Sequence, residues 1–451
     1  MSVKHSIEPK HSARKLAVQV VTKFHRSKKR IDRILDQVLE KSHLSSKDKA
    51  LLNELVNGTI RWLGLLDWYL KYLFYGKFKK LPAQLKAILE TGLYQLKFLD
   101  KIPSYAIVNE AVELAKAAGG KTWGNIVNGI LRQFLRVKDS LKLPYLHEDP
   151  VKTIAVNYSH PEWLIKRWIS RYGIEETIKL CIFNNQPAAI TLRVNLQKAL
   201  PEEVLEHLQK TGIEAEPSRY FPDFIIIKKP HKEITQLPWF RQGVFTIQDV
   251  STAISCLLLN PSESEIVLDL CAAPGGKSIY LAQLMKDSGV VIAVDINKSR
   301  MNKLLENLNR LQVKSVKPVI ADALKFLCKP VDKILLDVPC SGLGVLAKRV
   351  DLRWRRTEQD ILNIARLQFK ILKKASELIK PGGSIVYSTC TIEPEENEQI
   401  IEKFLQERPA FRIERSNMES LKPFEHPQGY YYTLPHIHQM DGIFAVKLVK
   451  K

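Results

Sequence analysis

Between residues 262 and 390, five short apolar runs end in acidic or small residues, and amphipathic stretches separate several of them. The runs are "EIVLDL" (265–270), "VVIAVDI" (290–296), "VKPVIADA" (316–323), "KILLDVP" (333–339) and "GSIVYSTC" (383–390). Continuous apolar character, rather than strict alternation, predicts strands buried on both faces. Ahead of the last run, Thr357 precedes Asp360 by three residues, a capping-box spacing, and the helix it opens stops before "PGG" at 381–383. Ile361, Ile364, Ala365, Leu372, Ala375 and Ile379 form its apolar face. Buried strands alternating with such helices imply an α/β domain over 261–451, with a mostly parallel sheet covered on both sides. Ligands of these sheets bind beyond the carboxyl ends of the strands.

The rest of the chain follows other patterns. Residues 8–145 read as helices throughout. "SYAIVNEAVELAKAAGG" aligns Val108, Ala111, Val112 and Ala115 and ends at a glycine pair, and "GNIVNGILRQFLR" aligns Val127, Ile130, Leu131 and Phe134. "LKLPYLHEDP" (141–150) reads as a linker between a helical domain, 1–145, and a small α+β domain, 146–260. In the latter, "ITLRVNL" (190–196) and "DFIIIKK" (223–229) are strand-like, and "PEEVLEHLQKTG" (201–212) is a short helix closed by glycine. Three domains suit a length of 451 residues. No apolar run reaches membrane-spanning length, and "MSVKHSIEPKHSARK" lacks the apolar core of a leader, so a cytoplasmic location is expected.

Net charge is +21, and residues 1–150 alone carry 27 Lys/Arg against 14 Asp/Glu. An excess concentrated in one third of the chain favours a polyanionic partner such as nucleic acid over solubility alone. The run "HRSKKRIDR" (25–33) is either a solvated helix end or an RNA contact. The six cysteines form no CxxC pair, which speaks against a zinc site; reduced thiols are expected.

"VLDLCAAPGGKS" (267–278) is a strand, a loop of small residues and a helix start. A Walker A loop would need glycine where Cys271 stands, and the GxGxxG of a dinucleotide site is absent. S-adenosylmethionine carries no phosphate and needs only close backbone approach plus acids for its sugar and base. Ala272, Ala273, Gly275 and Gly276 permit that approach. Asp295, ending the second run, can take the ribose hydroxyls; Asp322, at the third, the adenine amino group; Asp337, at the fourth, faces the reacting centre.

Cys340 and Cys390 follow the fourth and fifth runs, so a parallel sheet would turn both toward one crevice. Two thiols and an acid beside a methyl donor suit methylation of a pyrimidine carbon 5. That carbon is a poor nucleophile until a thiolate adds at carbon 6. Asp337 could hold the ring nitrogen and amino group of a cytosine. Amine methylation needs no thiol and favours Asp/Asn-Pro-Pro-aromatic at this place, where the chain has Asp337-Val338-Pro339-Cys340.

Together "CAAPGGKS", "DVPCSGLG" and "YSTCTIEPEENE" resemble the RNA cytosine-C5 methyltransferases of the NOL1/NOP2 and Sun type. "ARKLAVQVV" and "YAIVNEAVELAKAAGGKTWGNIVNGILR" resemble the NusB-like RNA-binding helical domain, and "SHPEWLIKRW" and "GVFTIQDVSTA" extend the likeness to bacterial small-subunit ribosomal RNA members of that family. The resemblance implies a NusB-like domain, an α+β adaptor and a Rossmann-like methyltransferase domain. It implies that Cys271, Ala272, Ala273, Pro274, Gly275, Gly276 and Lys277, with Asp295, Asp322 and Asp337, bind S-adenosylmethionine without a metal. It makes Cys390 the nucleophile and Cys340 the thiol that assists product release. Its implied partner is 16S ribosomal RNA, unassembled or partly assembled, met by a monomer without a membrane. Lys277 would steady the loop or the target base. Transfer RNA as substrate, or a non-catalytic RNA-binding factor, are the alternatives. Val350 departs from the proline common in relatives, which would reshape the loop around the target base.

Overall fold

The computed structural model describes residues 12–228 and 234–451. Residues 8–11 of the helical stretch, the start of the chain tested for a leader, and Lys229 of "DFIIIKK" lie outside the described residues. Two compact units emerge: one through Asn185 that also takes Arg349–Arg355, and one formed by Gln186–Lys348 and Arg356–Lys451. Among the described residues no helix is long and apolar enough to cross a membrane.

The first unit is helical: α1 (Ala13–Arg26), α2 (Ile31–Glu40), α3 (Ser46–Arg61), α4 (Leu63–Leu73), α5 (Ala83–Phe98), α6 (Ser104–Val137), α7 (Pro150–Asn157) and α8 (Glu162–Asn185). The apolar stripes read from the sequence meet in its core. Val108, Ala111, Ala115, Val127, Ile130, Leu131 and Phe134 are buried there, with Val112 half-buried against them. The glycine pair breaks α6 as expected: Gly120 has φ 74°, which a side chain would resist, and helix resumes beyond it. The basic run 25–33 straddles the α1–α2 connection. α7 and α8 belong to this unit, so the sheet of the α+β region begins only at residue 190. The segment Arg349–Arg355 is held by buried polar groups. Arg353 donates to Ser159 O (3.1 Å), Asn184 O (3.0 Å) and Asn185 Oδ1 (2.7 Å), and the Ile31 N–H donates to Asp351 (3.0 Å). Val350 is 1% exposed in the helical core.

The second unit holds two sheets. The smaller, in the order β2-β3-β1-β4, is antiparallel and built from β1 (Ile190–Val194), β2 (Ala215–Pro217), β3 (Phe224–Ile227) and β4 (Phe245–Ile247), with α9 (Pro201–Lys210) packed on it. A short helix, α10 (Pro238–Arg241), precedes β4, and α11 (Thr252–Leu259) leads into the larger sheet. That sheet contains β5 (Ile266–Asp269), β6 (Val290–Asp295), β7 (Val316–Ile320), β8 (Val331–Asp337) and β9 (Ile379–Thr389), all parallel, then antiparallel β10 (Phe411–Ile413), β11 (Tyr431–Tyr432) and β12 (Phe444–Lys450). The strand order is β10-β12-β9-β8-β5-β6-β7, with β11 on β12. Each of the five predicted runs is thus a strand. α12 (Gly276–Leu284), α13 (Lys298–Leu311) and, after the short α14 (Leu352–Arg355) of the first unit, α15 (Glu358–Glu377) supply the helices between them. Thr357 and Asp360 form the expected reciprocal cap of α15. Ile379 leaves that helix face for β9, because the chain turns to strand before "PGG".

Candidate active site

The chain runs from β5 outward through β6 and β7, then returns to β8 on the other side of β5. Strand order reverses there, where open α/β sheets bind ligands. The sequence-predicted residues gather at the carboxyl ends of these strands.

β5 ends at Asp269, whose carboxylate is 1% exposed. Its Oδ2 accepts from Ser278 Oγ (2.6 Å) and its Oδ1 from the Cys271 N–H (3.4 Å). Burial pushes its pKa up to about 7. Asp269 therefore clasps the Cys271–Lys277 loop from below. Sequence reading assigned it no role, although it ends its run as Asp337 ends β8. The loop is also tied to the next strand. The Ala273 N–H donates to Asp295 Oδ2 (3.1 Å), and the Asn297 N–H donates to Asp295 Oδ1 (2.8 Å). Cys271, Ala272, Ala273 and Pro274 form the turn, Gly275 caps α12, and Gly276 lies against the Gln248 side chain of "GVFTIQDVSTA". N–H groups in the first turn of a helix have no intrahelical acceptor and remain available to an anion.

Asp322 stands two residues beyond β7 rather than at its end, with Oδ1 accepting from the Leu324 N–H (2.9 Å). Ile296 follows Asp295 and Ile320 pairs with it in register, and both side chains are open, at 70% and 53% exposure. Two open aliphatic side chains beside an acid suit one flat, partly polar group.

Asp337 ends β8, and Lys277 rises from the first turn of α12 to meet it, with Nζ 2.6 Å from Oδ1. Nζ also donates to Ser388 Oγ of β9 at 3.3 Å. Burial opposes the ammonium charge, but Asp337 overrides it and raises the Lys277 pKa above its ordinary value. Next to this pair, the sulfurs of Cys340 and Cys390 approach to 3.0 Å, and the Cys390 N–H donates to Cys340 Sγ (3.4 Å). Hydrogen bonding to Cys390, with burial, lifts the Cys340 thiol well above its usual pKa. Cys340 thus keeps its proton at neutral pH and can donate it to sulfur at position 390. Burial also raises the thiols of Cys181, Cys256 and Cys271, that of Cys256 to about 12.

A polar scaffold fixes the two thiol-bearing turns. Glu396 Oε2 accepts from the Ser341 N–H (2.8 Å) and from Gln368 Nε2 (2.9 Å), and Gln368 also donates to Pro339 O (3.0 Å). Arg356 donates to Ser341 O (2.9 Å) and Cys340 O (3.4 Å). Thr389 Oγ1 donates to Asn397 Oδ1 (2.6 Å), which in turn donates through Nδ2 to Thr391 O (3.0 Å). Glu396 and Asn397 belong to "YSTCTIEPEENE", but nothing in their spacing revealed that they hold backbone. Only the folded turn brings Glu396 to Ser341, 55 residues away.

Comparison with known proteins identifies the family. Family models match over residues 256–449 (16S rRNA methyltransferase RsmB/F), 11–136 (NusB family) and 160–233 (the ferredoxin-like domain of RsmF/B-like methyltransferases). The chain is similar to "Probable ribosomal RNA small subunit methyltransferase B" of Bacillus subtilis, 36% identical over 98% of this chain and 99% of the relative. It is 38% identical to the protein of that name from Synechocystis, over 97% and 99%. Among solved structures, that of PH0851 superposes with a TM-score of 0.82 at 28% identity, covering 97% of this chain and 98% of the other. NSun6 from Pyrococcus horikoshii with SFG gives 0.58 at 25%, covering 64% and 98%. With a NusB domain, a ferredoxin-like domain and a methyltransferase domain in this order, and relatives matched end to end, the chain belongs to the ribosomal RNA small subunit methyltransferase B family.

Proposed function

We propose that this protein methylates carbon 5 of a cytosine in 16S ribosomal RNA, with S-adenosylmethionine as donor and Cys390 as covalent nucleophile. The observation that carries the reading is the Cys340–Cys390 pair, 3.0 Å between sulfurs, beside the Lys277–Asp337 ion pair at adjoining strand ends. A lone structural cysteine needs neither a second thiol nor an ion pair at the adjoining strand end.

The residues present fit the donor. The first turn of α12 and the small side chains of Ala272 and Ala273 would take its amino-acid end; Asp295 would take the ribose; Ile296, Ile320 and Asp322 would cover and address the adenine. When bound, S-adenosylmethionine supplies an electrophilic methyl sulfonium.

The chain's own residues do the rest. The Cys390 thiolate adds to carbon 6, forming an S–C bond and placing the electron pair at carbon 5, which then takes the methyl group. Asp337, ion-paired with Lys277, would accept from the cytosine amino group and steady the ring as charge develops. Carbon 5 next loses its proton to a base, the S–C6 bond breaks, and the electron pair returns to sulfur. Cys340, holding its proton, is placed to hydrogen-bond the departing Cys390 sulfur. Carbon 6 must be reached from above the ring, so the base has to leave its stack.

The test is methyl transfer from labelled donor to unmodified ribosomal and transfer RNA, with the modified position mapped by bisulfite sequencing. Incorporation at one cytosine of 16S ribosomal RNA is expected. Transfer only to transfer RNA, or at a ring amine, would overturn the assignment.

A further inference from the structure

The helical unit contains an open cavity of about 680 Å³ that the proposed chemistry does not use. Three of the chain's seven tryptophans line it: Trp68 of α4, Trp163 of α8 and Trp354 of the segment Arg349–Arg355. None is fully buried, in contrast to Trp168, which is 1% exposed in the core. Two of the rings have fixed partners. The Trp354 indole N–H donates to Ile60 O (2.7 Å), and its ring edge passes so near Gly64 that a Cβ there would lie 2.8 Å away. Trp68 is stacked on the exposed Tyr72, with centroids 6.1 Å apart and planes 16° from parallel. His160 also lines the cavity but is spoken for: Nδ1 lies 2.7 Å from Tyr158 O, and burial lowers its pKa well below the usual value. It forms a neutral wall rather than an acid or base.

The polar groups around these rings are of two kinds. Asp67 lies within the wall, with Oδ2 paired to Lys86 at 3.0 Å, and Glu162 is exposed at the margin. Lys71 and Lys152 are exposed lining residues. Flat π-surfaces with two exposed ammonium groups among the lining residues match a base and its phosphates. The volume lies in the range of sites for small ligands. The excess positive charge of this part of the chain gives a polyanion reason to arrive.

We infer that this cavity receives one unpaired nucleotide of the substrate RNA, its base stacked among Trp68, Trp163 and Trp354 and its phosphates met by Lys71 and Lys152. The inference rests on the reading of RNA as substrate, and it adds a recognition site separate from the target cytosine. Such a site strengthens RNA binding without touching the chemical step.

The experiment uses the full-length protein, with W163A, W163F and K152E variants. Tryptophan fluorescence is titrated with octamers of rA, rC and rU and with a base-paired RNA of equal length. Methyl transfer to 16S ribosomal RNA is followed in parallel. Quenching by single-stranded octamers but not by the duplex is expected. W163A should raise the KM for RNA about tenfold, W163F should restore most of it, and kcat and the KM for the methyl donor should not move. K152E should weaken binding and flatten its salt dependence. RNA affinity and KM equal in wild type and W163A, or quenching equal for duplex and single strand, would overturn the site while leaving the methylation reading intact. Retained stacking with no methyl transfer to any RNA would sink that reading and leave the cavity assignment standing.

Discussion

The strand-end crevice and the aromatic cavity reach their order by different routes. In the crevice, a parallel sheet aims the ends of β5, β6, β8 and β9 at one place, so residues up to 121 positions apart converge through backbone alone, from Asp269 to Cys390. In the cavity, α4, α7 and α8 and a segment returning from residue 349 each lend side chains, and no periodicity marks which will meet. Chemistry placed by a sheet can be read from position along the chain; recognition placed by helix packing is visible only once the helices are docked.

Several experiments would break or sharpen this contrast. The largest effect is expected at the thiols. Cys390→Ala should reduce methyl transfer to background and prevent any covalent RNA–protein complex, whereas Cys340→Ala should let that complex accumulate on a denaturing gel. The opposite pattern would exchange their roles. Asp337→Asn should lower kcat by about 10²- to 10³-fold, as expected for loss of a charged acceptor aimed at the reacting base, and single-turnover rates would show it. Glu396→Gln touches the scaffold one layer out. It keeps the shape but weakens the bonds to Ser341 and Gln368, so a kcat loss of up to about 10²-fold from misplaced thiols is expected, with donor affinity unchanged by calorimetry.

On the helical side the effect should be on stability alone. Arg353→Met leaves the carbonyls of Ser159 and Asn184 without their donor. A loss of about 2–3 kcal/mol is expected, read as a lower thermal transition, with kcat per folded molecule preserved. A change in kcat would show that the returning segment also governs the chemistry. The last prediction concerns Asp269. Folding raises its pKa from 3.8 to about 7, so over that interval the folded chain binds more protons than the unfolded chain. Stability should therefore fall as pH rises through the interval and level off above it. Asp269→Asn should flatten this profile in thermal melts taken across it.

Much of the α/β unit was legible in advance. Continuous apolar runs can be satisfied only by burial on both faces, and this fixes a parallel sheet and the side on which its loops gather. The Thr357 cap and the break at Gly120 were also legible, because each depends on atoms within a few residues. Asp322 lies two residues beyond the strand end expected for it, since β7 stops at Ile320 and strand ends are set by pairing with β6 rather than by composition. The burial of Val350 in the helical core was not legible, because no apolar period surrounds it in the sequence.

By itself, then, the order of residues determined the strands, the glycine turns, the acids that follow them and the two cysteines as a matched pair. These depend on local geometry and on the period of apolar side chains, which the chain carries wherever it goes. Tertiary structure alone decided that Cys340 holds its proton while facing Cys390, that Lys277 neutralises Asp337, that Glu396 fastens Ser341, and that three tryptophans share one cavity. Each of these is a distance of about 3 Å, or a shared void, between groups far apart in sequence, and only packing of whole elements can set it.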